Sequence, residues 1–230
     1  MPTIQVHDIP MHYIERGDGP TAIALHPATV SSAEMGWVIG LLIQEGFNII
    51  TPDQRGHGAT PNPAPDLAIT RLVEDLLEFI YQLGRTPLHG IGYSMGGTVL
   101  LYAAARRPEL FRSLVVMGSN WRPPAPERVT QVVGPEASRP PLVHQVFDEK
   151  TGLSVGWDLP LEAFRKVICP TLVMAADRDE FYDVEDSVAL YRALPNAELL
   201  IAPRAGHFDI ARNPHMMAAI RNFYGRVPHR

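Results

Sequence analysis

The sequence predicts an α/β protein with a mostly parallel central sheet, helices on both faces of that sheet, and a short insertion that joins neither layer. Three features point there. Short apolar runs alternate with longer amphipathic stretches along most of the chain, the pattern of strands joined by crossover helices. That alternation lapses once, across residues 121–169, where Pro123, Pro124, Pro126, Pro140 and Pro141 gather and no strand pattern is evident. Residues 87–102, P-L-H-G-I-G-Y-S-M-G-G-T-V-L-L-Y, compress an apolar run, a turn with a serine at its apex and a helical pattern into one stretch.

Taken in order, Thr3–Val6 and Met11–Glu15 read as short strands around a turn at Ile9-Pro10. Thr21–Leu25 is a compact apolar strand ending in His26-Pro27-Ala28-Thr29. Between Ser32 and Glu45, Met35, Val38, Ile39 and Leu42 recur at helical spacing, with Ser32 as N-cap and Gly46 as stop. Phe47–Thr51 is a strand running into Asp53-Gln54-Arg55-Gly56-His57-Gly58, and Thr70–Leu83 an amphipathic helix closed by Gly84. The strand and helix around Ser94 follow, the helix reaching Arg107, and Ser113–Met117 is a further strand. Inside the insertion only 141–147 and 161–167 carry a modest helical signal. Strands resume at Pro170–Ala175 and Ala197–Ile201, and helices at Val184–Leu194 and Pro214–Tyr224. Residues 1–120 and 170–230 are thus expected to form the core. Residues 121–169 are too short to bury much core of their own, and are expected to form a small cap over one sheet edge. Trp121, Phe147, Trp157 and Phe164 give the cap apolar surface to dock.

Composition narrows the function. At 230 residues, 46% hydrophobic and 20% charged, the chain has enough apolar mass for one sizeable core. A net charge of -5 supplies no basic field for nucleic acid or an anionic membrane. No apolar run approaches membrane-spanning length, and M-P-T-I-Q-V-H-D lacks the regions of a signal peptide. The single cysteine, Cys169 in V-I-C-P-T-L-V-M, reads as a small buried hydrophobe, and a reducing cytoplasm is the default location. No metal-ligand spacing, phosphate-cradling loop or dinucleotide fingerprint is present, so no cofactor is expected and the partner is a small-molecule substrate.

The chemistry gathers at Ser94. Glycines two residues before and two after it, Gly92 and Gly96, let strand and helix pass closely, forcing Ser94 into a strained conformation that lifts its hydroxyl clear of the sheet. A serine hydroxyl is a poor nucleophile until a base takes its proton and an acid orients that base. Strand-end loops of a parallel sheet share one edge. His207 after the last strand supplies the base and Asp179, one strand earlier, the acid; the order Ser94, Asp179, His207 suits this architecture.

At this point the sequence resembles an α/β-hydrolase over essentially all of its length outside 121–169. The matching pieces are H-P-A-T, P-D-Q-R-G-H-G, G-Y-S-M-G-G, C-P-T-L-V-M-A-A-D-R-D and A-G-H-F. The resemblance implies that Ser94 is the nucleophile, His207 the general base and acid, and Asp179 its orienting partner. It implies an oxyanion hole from the backbone N–H groups of Ala28 and Met95. Where the family has glycine after the first histidine this chain has Pro27, which has no N–H, but the expected donor is the next residue. Asp177 competes for the acid role; Asp179 is preferred because it is the fourth position of A-x-x-D. His26 and His57 are expected to shape loops, and Asp53 and Arg55 to brace them. His26, Tyr93, Trp121, Trp157 and Phe208 are the candidate pocket residues.

The implied reaction is acyl transfer on a small or medium ester or lactone. Serine at the elbow argues against epoxide hydrolase or dehalogenase chemistry. Carbon–carbon bond hydrolysis or lysis, and a non-hydrolytic homologue that binds or rearranges a small molecule, stay open. A cap so small is expected to leave an open site that prefers uncharged substrates, with Trp121 and Trp157 touching them.

Overall fold

The structure, a computed structural model, describes residues 2–227. Eight strands form one sheet: β1 (Thr3–Val6), β2 (Ile9–Arg16), β3 (Thr21–Leu25), β4 (Asn48–Pro52), β5 (Leu88–Tyr93), β6 (Phe111–Met117), β7 (Thr171–Ala176) and β8 (Ala197–Ala202). Their order across the sheet is β1-β2-β4-β3-β5-β6-β7-β8. Only β2 runs against its neighbours; from β4 to β8 every pairing is parallel. The mostly parallel sheet is as the sequence predicts. Its central strands β5 and β7 are buried along their whole length, as a sheet covered on both faces requires.

Helices α1 (Gly36–Gln44) and α7 (Pro214–Tyr224) cover one face, where Val38, Leu42, Met216, Ile220 and Phe223 join a core with Ile49, Ile91 and Val115. On the other face α2 (Ile69–Leu83), α3 (Met95–Arg106) and α6 (Val184–Ala193) pack Leu72, Phe79, Leu100 and Leu190 against Ile23, Ile50 and Leu114. Parallel register does the placing. Leu25 lies opposite Gly92, Tyr93 opposite Met117 and Ala176 opposite Ala202, so the loops after β3, β5, β7 and β8 emerge on one edge.

Two local expectations need correction. The first hairpin turns at His7-Asp8 instead of Ile9-Pro10, with His7 at φ 46° and Pro10 paired to Gln5 inside β2. Pro10 is tolerated because that half of β2 has only β1 beside it, while Tyr13–Arg16 pair with β4. Ser32 does not cap a helix: residues 32–35 form a separate 3-10 turn, and the Ser32 N–H donates to Asp53 Oδ1 at 2.8 Å.

Residues 121–169 hold α4 (Pro126–Val133), which the sequence reading missed, and α5 (Pro141–Val146), which it anticipated. Pro126 opens α4 at a first-turn position, where its missing N–H costs nothing, and Val129 and Val133 recur four apart. The 3-10 turn Leu161–Lys166 belongs to the core: Phe164 and Val167 are fully buried, and the Phe164 ring meets Tyr102 of α3 edge-on at 5.3 Å. No residue of α4 is buried, and in α5 only Val146 is.

Candidate active site

Ser94 stands between β5 and α3 at φ 52° and ψ -119°, a conformation L residues avoid. Crowding imposes it. A Cβ on Gly92 would lie 2.5 Å from Gly97 N, and one on Gly96 would overlap the Leu25 carbonyl of β3. The turn is tied down by Ser94 N–H to Met117 O at 2.8 Å, and by the Ser119 hydroxyl donating to Ser94 O at 2.9 Å.

His207 lies in the loop after β8, its side chain 3% exposed. Its Nδ1 is 2.7 Å from Asp179 Oδ2, and its Nε2 is 2.9 Å from Ser94 Oγ. A carboxylate can only accept, so Nδ1 carries the proton and Nε2 is left to accept from the serine hydroxyl. Asp179 is itself fixed. Its Oδ1 accepts from the N–H groups of Phe181 and Tyr182, at 2.8 and 3.1 Å, turning Oδ2 toward the imidazole. Asp177 is exposed and accepts from Ala205 N–H at 3.1 Å instead, holding the His207 loop without reaching the ring.

Further contacts immobilise the imidazole. The Tyr93 ring stacks on it with centroids 5.6 Å apart, and the Tyr93 hydroxyl donates to the His207 carbonyl. Burial pushes the Tyr93 phenol well above its ordinary pKa, with Asp179 adding to the effect, so it remains a donor. Phe181 meets the imidazole edge-on at 4.8 Å, and Glu180 accepts from the His207 backbone N–H. Sequence reasoning missed Glu180 and Phe181. The run Asp179-Glu180-Phe181 carries no periodic signal, and only the loop's curvature reveals their use.

Beside the elbow, His26 accepts from Gln54 N–H at Nε2, 3.0 Å, and donates from Nδ1 to Pro27 O at 2.8 Å. Burial, aided by the neighbouring His57, holds its pKa down at about 3. It is a neutral brace, as its expected loop role requires. Ala28 and Met95 line the same cavity as Ser94, and among the described residues their N–H groups donate to no backbone acceptor. Arg55 is buried with its guanidinium on Asp75 at 2.6 Å and on Asp8 at 2.6 Å.

A cavity of about 580 Å³ opens above Ser94, His207, Ala28 and Met95. Of the five candidate pocket residues it is lined by Tyr93, Trp157 and Phe208, the last 60% exposed at its mouth. His26 does not reach it, because both ring nitrogens serve the loop. Neither does Trp121, which packs against the core beside α3, its carbonyl accepting from Tyr102 Oη at 3.0 Å. Part of the wall comes from the insertion: Val129 and Val133 of α4, Val143 of α5, Phe147 and Leu153.

Such a sheet, with a serine on a strained strand-to-helix turn and its loops converging on one edge, defines a class, and residues 22–137, half of the chain, match the family model described as alpha/beta hydrolase fold. The chain belongs to the α/β-hydrolase family. It is 22% identical to 2-(acetamidomethylene)succinate hydrolase of Mesorhizobium japonicum, the match spanning 96% of this chain and 93% of that protein. Bifunctional epoxide hydrolase 2 of Rattus norvegicus is 28% identical over 121 residues, which are 52% of this chain but only 22% of that protein. Among solved structures, 2-hydroxy-6-oxo-6-phenylhexa-2,4-dienoate hydrolase from Rhodococcus superposes with a TM-score of 0.82 at 21% identity, covering 98% of each chain. A thermophilic esterase from Thermogutta terrifontis gives 0.78 at 21%, covering 98% and 97%. These likenesses establish the fold. No helix among the described residues is long and apolar enough to cross a membrane.

Proposed function

We propose that the chain is a serine hydrolase cleaving a small or medium ester or lactone through an acyl-enzyme intermediate. The observation that carries this reading is the unbroken relay Ser94 Oγ, His207 Nε2, His207 Nδ1, Asp179 Oδ2, with links of 2.9 and 2.7 Å. His207 takes the hydroxyl proton as Ser94 Oγ bonds to the substrate carbonyl carbon. The carbonyl oxygen becomes an oxyanion held by the N–H groups of Ala28 and Met95. Collapse expels the alkoxide, which leaves with the proton from His207, and water attacks the acyl-serine by the same route in reverse. Asp179 stabilises the imidazolium, and Tyr93 and Phe181 keep the ring in plane with the serine. Within the insertion of residues 121–169, α4 and α5 serve as the lid that shapes the acyl pocket.

A fluorophosphonate is expected to label Ser94, and Ser94→Ala to abolish both labelling and aryl-ester turnover. Asp179→Asn is expected to lower kcat about 10³–10⁴-fold, whereas Asp177→Asn changes it less than about threefold, since it touches only the loop. Wild-type protein that neither labels nor hydrolyses aryl esters would sink the proposal.

A further inference from the structure

We propose that the substrate carries a carboxylate, or an equivalent small anionic group, and that Arg139 in the lid wall receives it; this deepens the hydrolase reading and rests on it. Arg139 lines the same cavity as Ser94 and His207 and is half-buried. Among the described residues no carboxylate forms an ion pair with it, although nine other arginines are so paired. What it has instead are two neutral carbonyls. Its Nε donates to Gly134 O at 3.0 Å and its Nη1 to Phe147 O at 2.9 Å. Those bonds hold the guanidinium plane while, among the described residues, leaving the positive charge without a counter-charge and Nη2 without a partner. A cation partly withdrawn from water without a counter-charge gains more from an anionic ligand than a fully solvated one does.

The backbone beneath is suited to presenting such a group. Arg139 precedes Pro140 and Pro141 and lies extended at φ -73° and ψ 135°, a conformation the following proline favours. Little freedom remains to be lost when a ligand binds. Nearby wall residues Val133, Val143 and Phe147 offer an anion no competing donor, so a carboxylate in that region has Arg139 as its partner. The other charged groups along the lining, Glu34, Glu149, Asp209 and Arg212, are exposed, and water screens them. A charge-assisted bond from Nη2 to a carboxylate is stronger than one to a neutral acceptor, and the two carbonyl bonds fix the direction in which it points. The expectation of an uncharged substrate is thereby reversed.

The test compares two aryl esters of adipic acid with one leaving group: one with its second carboxyl free, the other with that carboxyl converted to the amide. Wild-type kcat/KM is expected to favour the acid at least tenfold. Arg139→Gln should lower kcat/KM for the acid about 10–100-fold and for the amide less than about threefold, with Arg139→Lys between. Equal use of the two esters by wild type, or a parallel fall for both in Arg139→Gln, would overturn the proposal; the parallel fall would show a staple between the ends of α4 and α5. Should the glutamine variant fail to fold, wild type alone decides. Adipate is expected to raise its melting temperature and adipamide not to, and the reverse or no difference counts against the anion site. That readout needs no turnover, so failure of fluorophosphonate labelling alongside a specific adipate shift would discard the hydrolase reading and keep the anion site.

Discussion

Around Ser94 the neighbours are backbone: the Leu25 carbonyl against Gly96, Gly97 N against Gly92, the Met117 carbonyl on the Ser94 N–H. Across the cavity the wall is side chain, carried by α4, which has no buried residue, and by α5, which buries only Val146. The insertion is secured by different means. Leu67 N–H bonds Thr151 O at 2.6 Å and Ile69 N–H bonds Val155 O at 3.0 Å, Trp157 meets Tyr102 edge-on at 5.9 Å, and Arg128 of α4 pairs with Asp183. Backbone against backbone tolerates no change in volume, whereas side chains on half-exposed helices tolerate a great deal. In the proposed hydrolase, one region fixes the chemistry and the other selects what undergoes it.

The largest expected effect lies at the elbow. Gly96→Ala drives a methyl into the β3 backbone and is expected to cost more than about 3 kcal/mol, or prevent folding altogether. A urea midpoint close to wild type would break the contrast between the two regions.

Acid should act on the same side. His26 is neutral in the fold with a pKa of about 3, but protonates near 6.5 once the chain unfolds. The unfolded state binds more protons between those values, so stability falls as pH drops below 6.5 and continues falling to about 3. At pH 4.5 His26 alone accounts for roughly 2–3 kcal/mol of that loss. Burial lowers the His57 pKa too, in the same sense. Urea midpoints at pH 7.5 and 4.5 measure it; His26→Gln should be less stable than wild type at pH 7.5 yet lose less on acidification. Equal acid losses in both proteins would assign the sensitivity elsewhere.

The smallest expected effect on stability lies in the wall. Val133→Ala removes methyls from a half-buried position and should shift the urea midpoint by less than about 1 kcal/mol, while raising KM for aryl esters several-fold. A stability loss matching that of Gly96→Ala would erase the distinction.

This division also explains what the sequence made legible. Gly92, Ser94 and Gly96 have identities dictated by backbone geometry, so their spacing survives as a readable pattern, and the sheet's parallel order follows from the alternation of strands and helices. Asp179 stood out from Asp177 by position, and the bond to His207 has a geometric cause in the turn at Phe181 and Tyr182. Glu180 and Phe181 were not legible, because a side chain that curls over a loop leaves no period. Trp121 was misassigned for a related reason. An aromatic beside a strand end can face cavity or core, and the buried surface of α3 drew it to the core.

The insertion leaves the sheet after β6 and returns at β7, strands that are neighbours, with Leu114 N–H bonded to Pro170 O and Gly118 N–H to Met174 O. Its two roots therefore sit side by side on a scaffold already closed without it. Whatever hangs between them can be lengthened, shortened or exchanged at little entropic cost to the closure. In heredity this makes the sheet a socket and the insertion a replaceable tool: diversification can proceed above the serine while the strands beneath keep their register.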